Sequence, residues 1–80
     1  MKLGNDYVQK YQELLNRLRT ARLEAGLTQE EVAKRLGKNQ SFVSRSETGE
    51  RRIDVIELQA FAAIYQKPMF YFLRDTKESD

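Results

Sequence analysis

The chain has 80 residues, contains no cysteine and no histidine, and carries a net charge of +2. This composition excludes disulfides and cysteine-based metal sites, and it lacks the commonest general base and metal ligand. A chain this short buries only about 60% of the surface that it exposes when unfolded, so we expect one domain over residues 1–80. We also expect that this domain is not an enzyme and that it needs no cofactor or metal.

No stretch sustains the alternation of a strand, and the predicted fold class is therefore all-α, with five helices. The first helix is expected from about Tyr7 to Ala25, with Asn5 or Asp6 as its N-cap. Gly26 ends it, because glycine adopts the left-handed conformation without penalty. Its predicted inward stripe is Val8, Tyr11, Leu15, Leu18, Arg22 and Ala25.

The second helix has a strong start signal. Thr28 is placed to cap it, and Glu31 to complete a capping box. Leu27 can pack on Val32 across the cap, and Gly37 ends the helix after little more than two turns. The residues predicted to face inward are Val32, Ala33 and Leu36.

The third helix follows after only three residues, Gly37-Lys38-Asn39. Asn39 is its predicted cap, and the helix is expected from Gln40 to about Thr48, with Gly49 ending it. Two short helices joined by so few residues must cross steeply. This spacing predicts a helix-turn-helix.

A basic loop over residues 49–53 precedes the fourth helix, which Asp54 caps and Glu57 supports from its third position. Its predicted buried stripe is Leu58, Phe61, Ala62 and Tyr65. A short fifth helix is expected from Pro68 to about Leu73. The predicted core therefore covers residues 13–73, between an N-terminal segment (1–6) and a polar tail (74–80).

Positive charge is concentrated in the middle of the chain. Residues 17–52 hold nine basic and five acidic side chains, whereas the remainder holds five basic and seven acidic ones. Such a concentration fits a polyanionic partner, although a solvated charged surface is the alternative. No apolar run reaches the length of about 18 residues needed for a membrane span, and no secretory leader is recognised. We expect a cytoplasmic protein without membrane contacts.

One face of the third helix is polar and free of acids. A helical wheel turns Val43 and Glu47 inward. The residues that it turns outward are Gln40, Ser41, Ser44, Arg45 and Thr48. Glutamine bonds the N6 and N7 edge of adenine, arginine grips O6 and N7 of guanine, and serine accepts several partners. The helix N-terminus favours phosphates. This face predicts base reading in the major groove.

The stretch from Leu18 to Leu73 resembles the Cro/repressor-type, lambda repressor-like (XRE) helix-turn-helix family of prokaryotes and phages. The matching residues are Leu18-Arg19-x-x-Arg22, Gly26-Leu27-Thr28-Gln29-x-Glu31-x-Ala33, Leu36-Gly37, Gln40-Ser41-x-Val43-Ser44, Glu47-x-Gly49 and Arg52. The resemblance implies a compact five-helix domain that binds double-stranded DNA, in which an ion pair between Arg22 and Glu47 locks helix 1 to helix 3.

The resemblance and the wheel together assign DNA contacts. Base edges would be met by Gln40, Ser41, Ser44 and Arg45. The backbone would be held by Gln29, Lys38, Asn39, Thr48, Arg51 and Arg52. Backbone contacts position such a protein, while base contacts specify the sequence.

Three features of the sequence depart from the family pattern. Ser46 stands where a large apolar residue is usual, leaving a gap that Phe42 is expected to fill; the alternative is that Phe42 touches a thymine methyl group. Gln66-Lys67 replaces a glycine-apolar pair before helix 5. The first helix is about six residues longer than the family core requires.

A single short helix reads few base pairs, so we expect a homodimer on two half-sites about 34 Å apart. The candidate interface is Met69, Phe70, Tyr71 and Phe72, in a run of large apolar residues that cannot all face one core. A second candidate surface is Tyr7, Val8 and Tyr11.

The predicted function is transcriptional regulation, as a repressor, with RNA polymerase or a cognate protein as a further partner. The alternative is a protein-interaction module that does not bind DNA specifically.

Overall fold

The computed structural model describes residues 4–73 as five α-helices without a strand. They are α1 (Gly4–Glu24), α2 (Gln29–Leu36), α3 (Gln40–Thr48), α4 (Val55–Tyr65) and α5 (Met69–Leu73). The all-α fold and the order of its elements are as predicted. The polar tail and the first three residues lie outside the described range. None of the helices within that range is both long and apolar enough to cross a membrane.

The caps written in the sequence set the starts of α2, α3 and α4. Thr28 and Asp54 each accept a hydrogen bond from the third backbone N–H of their helix, and Glu31 and Glu57 complete the two capping boxes. Asn39 accepts from the backbone N–H of Phe42 at the start of α3. Because these bonds satisfy N–H groups that the helix leaves free, the three starts are fixed locally.

The ends of the helices use left-handed residues, as the glycines predict. Gly26, Gly37 and Gly49 all have positive φ angles. Gln66, which ends α4, also has a positive φ of 58°, and its N–H bonds back to α4. A glutamine therefore occupies the position usually held by glycine, at a modest steric cost.

The core sits where α1, α4 and α5 meet the two helices of the helix-turn-helix. Leu18, Phe61 and Phe72 are almost completely buried in it, together with Val32 of α2 and Val43 of α3. Burial of each such side chain stabilises the fold by about 1.5–3 kcal/mol. Phe72 thus anchors the short helix α5 to the rest of the domain.

Helix α1 differs from its prediction at both ends. It begins three residues earlier, at Gly4, and ends at Glu24. The predicted inward stripe was wrong at Val8 and Ala25, which are exposed, and it omitted Ala21, which is fully buried. Val8 and Ala25 lie near the two ends of the predicted helix, where apolar periodicity did not correspond to burial.

Candidate nucleic-acid interface

The outward face of α3 is open to solvent. Gln40, Ser41, Arg45 and Thr48 are exposed and Ser44 is half-buried, whereas Val43 and Ser46 on the opposite face are completely buried. The structure therefore brings the four residues predicted to contact bases together on one accessible surface. The hydroxyl of Ser41 donates to Asn39 Oδ1 at 2.7 Å, which ties the first turn of the helix to its cap.

Helix α3 is fixed to α1 by an ion pair between Arg22 and Glu47. Arg22 Nε lies 2.6 Å from Glu47 Oε2, and Arg22 Nη2 lies 3.2 Å from Glu47 Oε1. The two side chains are 10% and 4% exposed. A third donor, Arg22 Nη1, bonds the carbonyl oxygen of Leu27 at 2.9 Å. The hydrogen bonds that Arg22 donates to Glu47 raise the pKa of Arg22, so the guanidinium stays charged.

Gln29 connects this ion pair to the start of α3. Its Nε2 donates to Glu47 Oε1 at 3.0 Å, and its Oε1 accepts from Gln40 Nε2 at 2.8 Å. The amide of Gln29 retains one further N–H donor. The residue predicted to bind a phosphate and a residue predicted to meet bases are thus joined to each other. Sequence reasoning missed this link, although both residues begin the consecutive helices of the predicted helix-turn-helix.

An acidic residue, Glu50, lies beside the outward face of α3. Glu50 Oε1 lies 3.8 Å from Arg45 Nε, and the two side chains are 70% and 63% exposed. Exposed pairs of this kind contribute little free energy, so Arg45 can exchange its partner readily. The helical wheel did not include Glu50, because this residue follows the end of α3. The carboxylate nevertheless lies beside Arg45, and the face is therefore not free of acids.

Arg51 is turned toward the protein. Its guanidinium forms two hydrogen bonds with the carboxylate of Glu57, at 3.1 and 2.9 Å, and lies 4.2 Å from the ring centroid of Phe42. The hydrogen bonds from Arg51 to Glu57 raise the pKa of Arg51 and lower that of Glu57. Of the two loop arginines predicted to hold the DNA backbone, Arg51 is thus occupied by an internal partner.

The gap at Ser46 is filled by neighbouring side chains. Ser46 donates to the carbonyl oxygen of Phe42 at 2.8 Å and accepts from Arg51 Nη1 at 3.3 Å. The ring of Phe42 stacks on that of Phe61, with centroids 6.4 Å apart. The prediction that Phe42 packs rather than points at DNA is confirmed.

The other residues predicted to contact the DNA backbone lie just before α3, at its end, or in the loop after it. Arg52 is exposed and lies against Tyr7 and Tyr11 of α1, with Nη1 2.7 Å from Tyr7 Oη. Lys38 is exposed at the turn before α3, and Thr48 is exposed at its end. Asn39 is also exposed, but its side-chain oxygen is engaged in capping. Lys38 and Asn39 thus precede α3, Thr48 ends it, and Arg52 lies in the loop that follows it.

Comparisons with known proteins agree with this geometry. Residues 18–72 match the profile of a helix-turn-helix family. A solved structure of an XRE-family-like protein from Pseudomonas syringae pv. tomato str. DC3000 is 42% identical to this chain, and the match covers 90% of each chain at a TM-score of 0.79. The chain belongs to the XRE helix-turn-helix family. Among curated proteins no match is found.

Membership in the XRE family places the chain among DNA-binding regulators. The family profile begins at residue 18 and therefore excludes most of α1.

The family's usual glycine-apolar pair before α5 is replaced here by Gln66 and Lys67. Lys67 bonds Glu24 at 2.8 Å and lies 4.6 Å from the ring of Tyr71. An ion pair with α1 thus stabilises this junction.

The C-terminal aromatic run of this XRE-family chain divides between core and surface. Phe70 is 69% exposed, and Met69 and Tyr71 are half-buried. Phe72 requires a correction, because it is 1% exposed and packs in the core, and so cannot serve as an interface residue without unfolding α5. Leu73, 59% exposed, extends the exposed apolar surface next to Phe70.

Proposed function

We propose that this XRE-family protein is a sequence-specific transcriptional regulator that acts in the cytoplasm as a repressor, with α3 inserted in the major groove of its operator. The observation that carries the proposal is the accessible face of α3, where Gln40, Ser41, Ser44 and Arg45 project from a helix locked by the buried Arg22–Glu47 pair. A rigid helix with an open polar face is what direct base reading requires.

The side chains have distinct proposed roles. Arg45 would release Glu50 and bond the O6 and N7 of a guanine. Gln40 would bond an adenine, while Gln29 orients the side chain of Gln40. Lys38, Thr48 and Arg52 would contact backbone phosphates and set the register. Arg51, bound to Glu57, would support the loop that carries Arg52.

We further propose that two copies bind together. A single helix of nine residues reaches few bases. The exposed pair Phe70 and Leu73 on α5, flanked by Met69 and Tyr71, supplies an apolar surface on which a second copy can pack. Two-fold pairing would place two α3 helices about 34 Å apart, one helical turn of DNA. Repression would follow from occlusion of a promoter.

Selection from a pool of randomised DNA duplexes tests the proposal. The full chain should enrich a symmetric site whose half-sites are centred about 10 base pairs apart. Competition with poly-anionic carrier DNA separates specific binding from charge attraction alone. A pool that does not converge would overturn sequence-specific recognition. Failure to bind any duplex at low salt would instead favour the protein-interaction module.

A further inference from the structure

Two tyrosines lie side by side on α1, in the part of the helix that precedes the residues matched by the family profile. Tyr7 and Tyr11 are four residues apart and therefore share one helical face. Their ring centroids are 6.3 Å apart and the ring planes differ by 20°. Both side chains are half-buried. We refer to these two residues as the tyrosine pair.

The tyrosine pair contacts two consecutive residues of the loop between α3 and α4. The guanidinium carbon of Arg52 lies 4.6 Å from the ring centroid of Tyr11 and 5.3 Å from that of Tyr7. Arg52 Nη1 donates to Tyr7 Oη at 2.7 Å. The backbone N–H of Ile53 donates to Tyr11 Oη at 3.2 Å. The start of α1 thereby holds both the backbone and the cation of this loop.

The partners of Arg52 leave its charge unneutralised. Over residues 4–73, no carboxylate lies within ion-pair distance of Arg52, whereas the neighbouring Arg51 is paired with Glu57. Aromatic faces attract a guanidinium without cancelling its charge. One of its five N–H donors is used on Tyr7, so most remain for an anion. An oriented arginine also loses less side-chain entropy when it binds.

We propose that the tyrosine pair is a positioning element that holds Arg52 ready for a backbone phosphate of double-stranded DNA. The start of α1, although it lies outside the family profile, would then belong to the nucleic-acid interface. The proposal rests on the proposed function, because it assigns a role within DNA binding. It goes further in naming Tyr7 and Tyr11, which would act through Arg52 rather than by contacting DNA.

A double-mutant cycle between Tyr7 and Arg52 tests the proposal. Binding to one selected duplex and one random duplex is measured for the wild type, Tyr7→Leu, Arg52→Ala and the combined variant. Tyr7→Leu should weaken binding to both duplexes about two- to fivefold, and it should have no further effect once Arg52 is absent. Tyr7→Phe, which keeps the ring and loses Oη, should fall between Tyr7→Leu and the wild type.

The salt dependence of binding supplies a second readout. Arg52→Ala should lower the slope of log affinity against log salt by about one, because one phosphate contact is lost. Tyr7→Leu should leave the slope unchanged, because the cation is still present. Gln12→Ala, an exposed substitution on the same helix, is the matched control and should change neither quantity. Thermal unfolding by circular dichroism verifies that each variant is folded.

The outcomes separate this proposal from the proposed function. Equal losses from Tyr7→Leu with and without Arg52 would show that Tyr7 acts through folding or self-association, and would overturn the positioning role alone. A wild-type protein that binds no duplex at low salt would overturn both. If Tyr7→Leu is unfolded, the same cycle with Tyr7→Phe decides, with a smaller expected coupling.

Discussion

The buried carboxylate of Glu47 illustrates how one residue serves both the fold and the site. It accepts hydrogen bonds from Arg22 and from Gln29, and its side chain is 4% exposed. A charge in this position is stable only while its partner is present, because desolvation of an unpaired ion is costly. The orientation of α3 therefore depends on a contact made on the face opposite to the proposed DNA surface.

Glu47→Gln should destabilise the protein strongly. The substitution leaves the Arg22 guanidinium buried without a counter-charge, which costs about 3–5 kcal/mol. Urea unfolding measures the change in the free energy of unfolding. Glu24→Gln is the matched control, because it breaks the more exposed pair with Lys67 and should cost less than about 1 kcal/mol. Similar costs for the two variants would contradict this account of Glu47.

Glu57 should make stability depend on pH in the acid range. Its pKa is lowered in the folded protein, chiefly by the hydrogen bonds from Arg51. The resulting stabilisation is complete above the unfolded-state pKa, near 4.3, and is lost as the pH falls through the lower pKa of the folded state. Glu57→Gln, which can still complete the capping box, should flatten the decline in unfolding free energy below about pH 4.3. Identical slopes for both proteins would contradict the prediction.

At the scale of helices, local signals in the sequence predicted the boundaries of α2 and α3 and the start of α4. Thr28, Asn39 and Asp54 predicted the starts of three helices, and Gly37 and Gly49 predicted two ends. The signals worked because each cap satisfies backbone groups within four residues of itself. The start of α1 was less well predicted, because no single residue marks where this long helix begins.

The glycines that end α2 and α3 should differ in their tolerance of alanine. Both have positive φ, where an added Cβ costs about 1–2 kcal/mol. At Gly37 the Cβ would meet nothing within 4 Å, whereas at Gly49 it would lie 3.0 Å from Leu15 Cδ1. Gly49→Ala should therefore lower the free energy of unfolding more than Gly37→Ala, as urea titration can measure. Equal losses would show that Leu15 moves aside without cost, and the reverse order would contradict the prediction.

Contacts between distant elements were the part of the site that the sequence did not predict. The bonds from Gln29 to Gln40, from Arg51 to Glu57 and from Arg52 to the tyrosine pair depend on side-chain rotamers and on how the helices pack. Apolar periodicity and helix caps predict neither the side-chain rotamers nor the way the helices pack. The Arg22–Glu47 pair could be named in advance only because two opposite charges fell on inward stripes and the family resemblance joined them.

At the scale of the whole molecule, exposed apolar side chains lie on α1, α4 and α5. Phe70 and Leu73 of α5 are 69% and 59% exposed, and Val8 of α1 is 55% exposed. A second apolar pair, Val55 and Ile56, lies at the start of α4 with similar exposure. Self-association through α5 and contacts through α4 are therefore separable by substitution.

Phe70→Glu should abolish self-association. A charge on each copy would have to be buried opposite its symmetry mate, which is strongly unfavourable. Light scattering should show a dimer for the wild type and a monomer for the variant, and affinity for a symmetric site should fall. Ile56→Glu is the matched control and should remain dimeric. A monomeric Ile56→Glu with a dimeric Phe70→Glu would move the interface to α4.

The central claim is that side chains on the open face of α3 read bases, and Arg45 tests it most directly. The measurement is the binding free energy for four duplexes that differ only in the base pair assigned to Arg45, for the wild type and for Arg45→Ala. Arg35→Ala, at a different surface beside Gln66 and Lys67, is the control. The account predicts that Arg45→Ala narrows the spread among the four duplexes by about 1–3 kcal/mol, while Arg35→Ala preserves it. A uniform loss of affinity on all four duplexes, with the wild-type spread retained, would contradict base reading by α3.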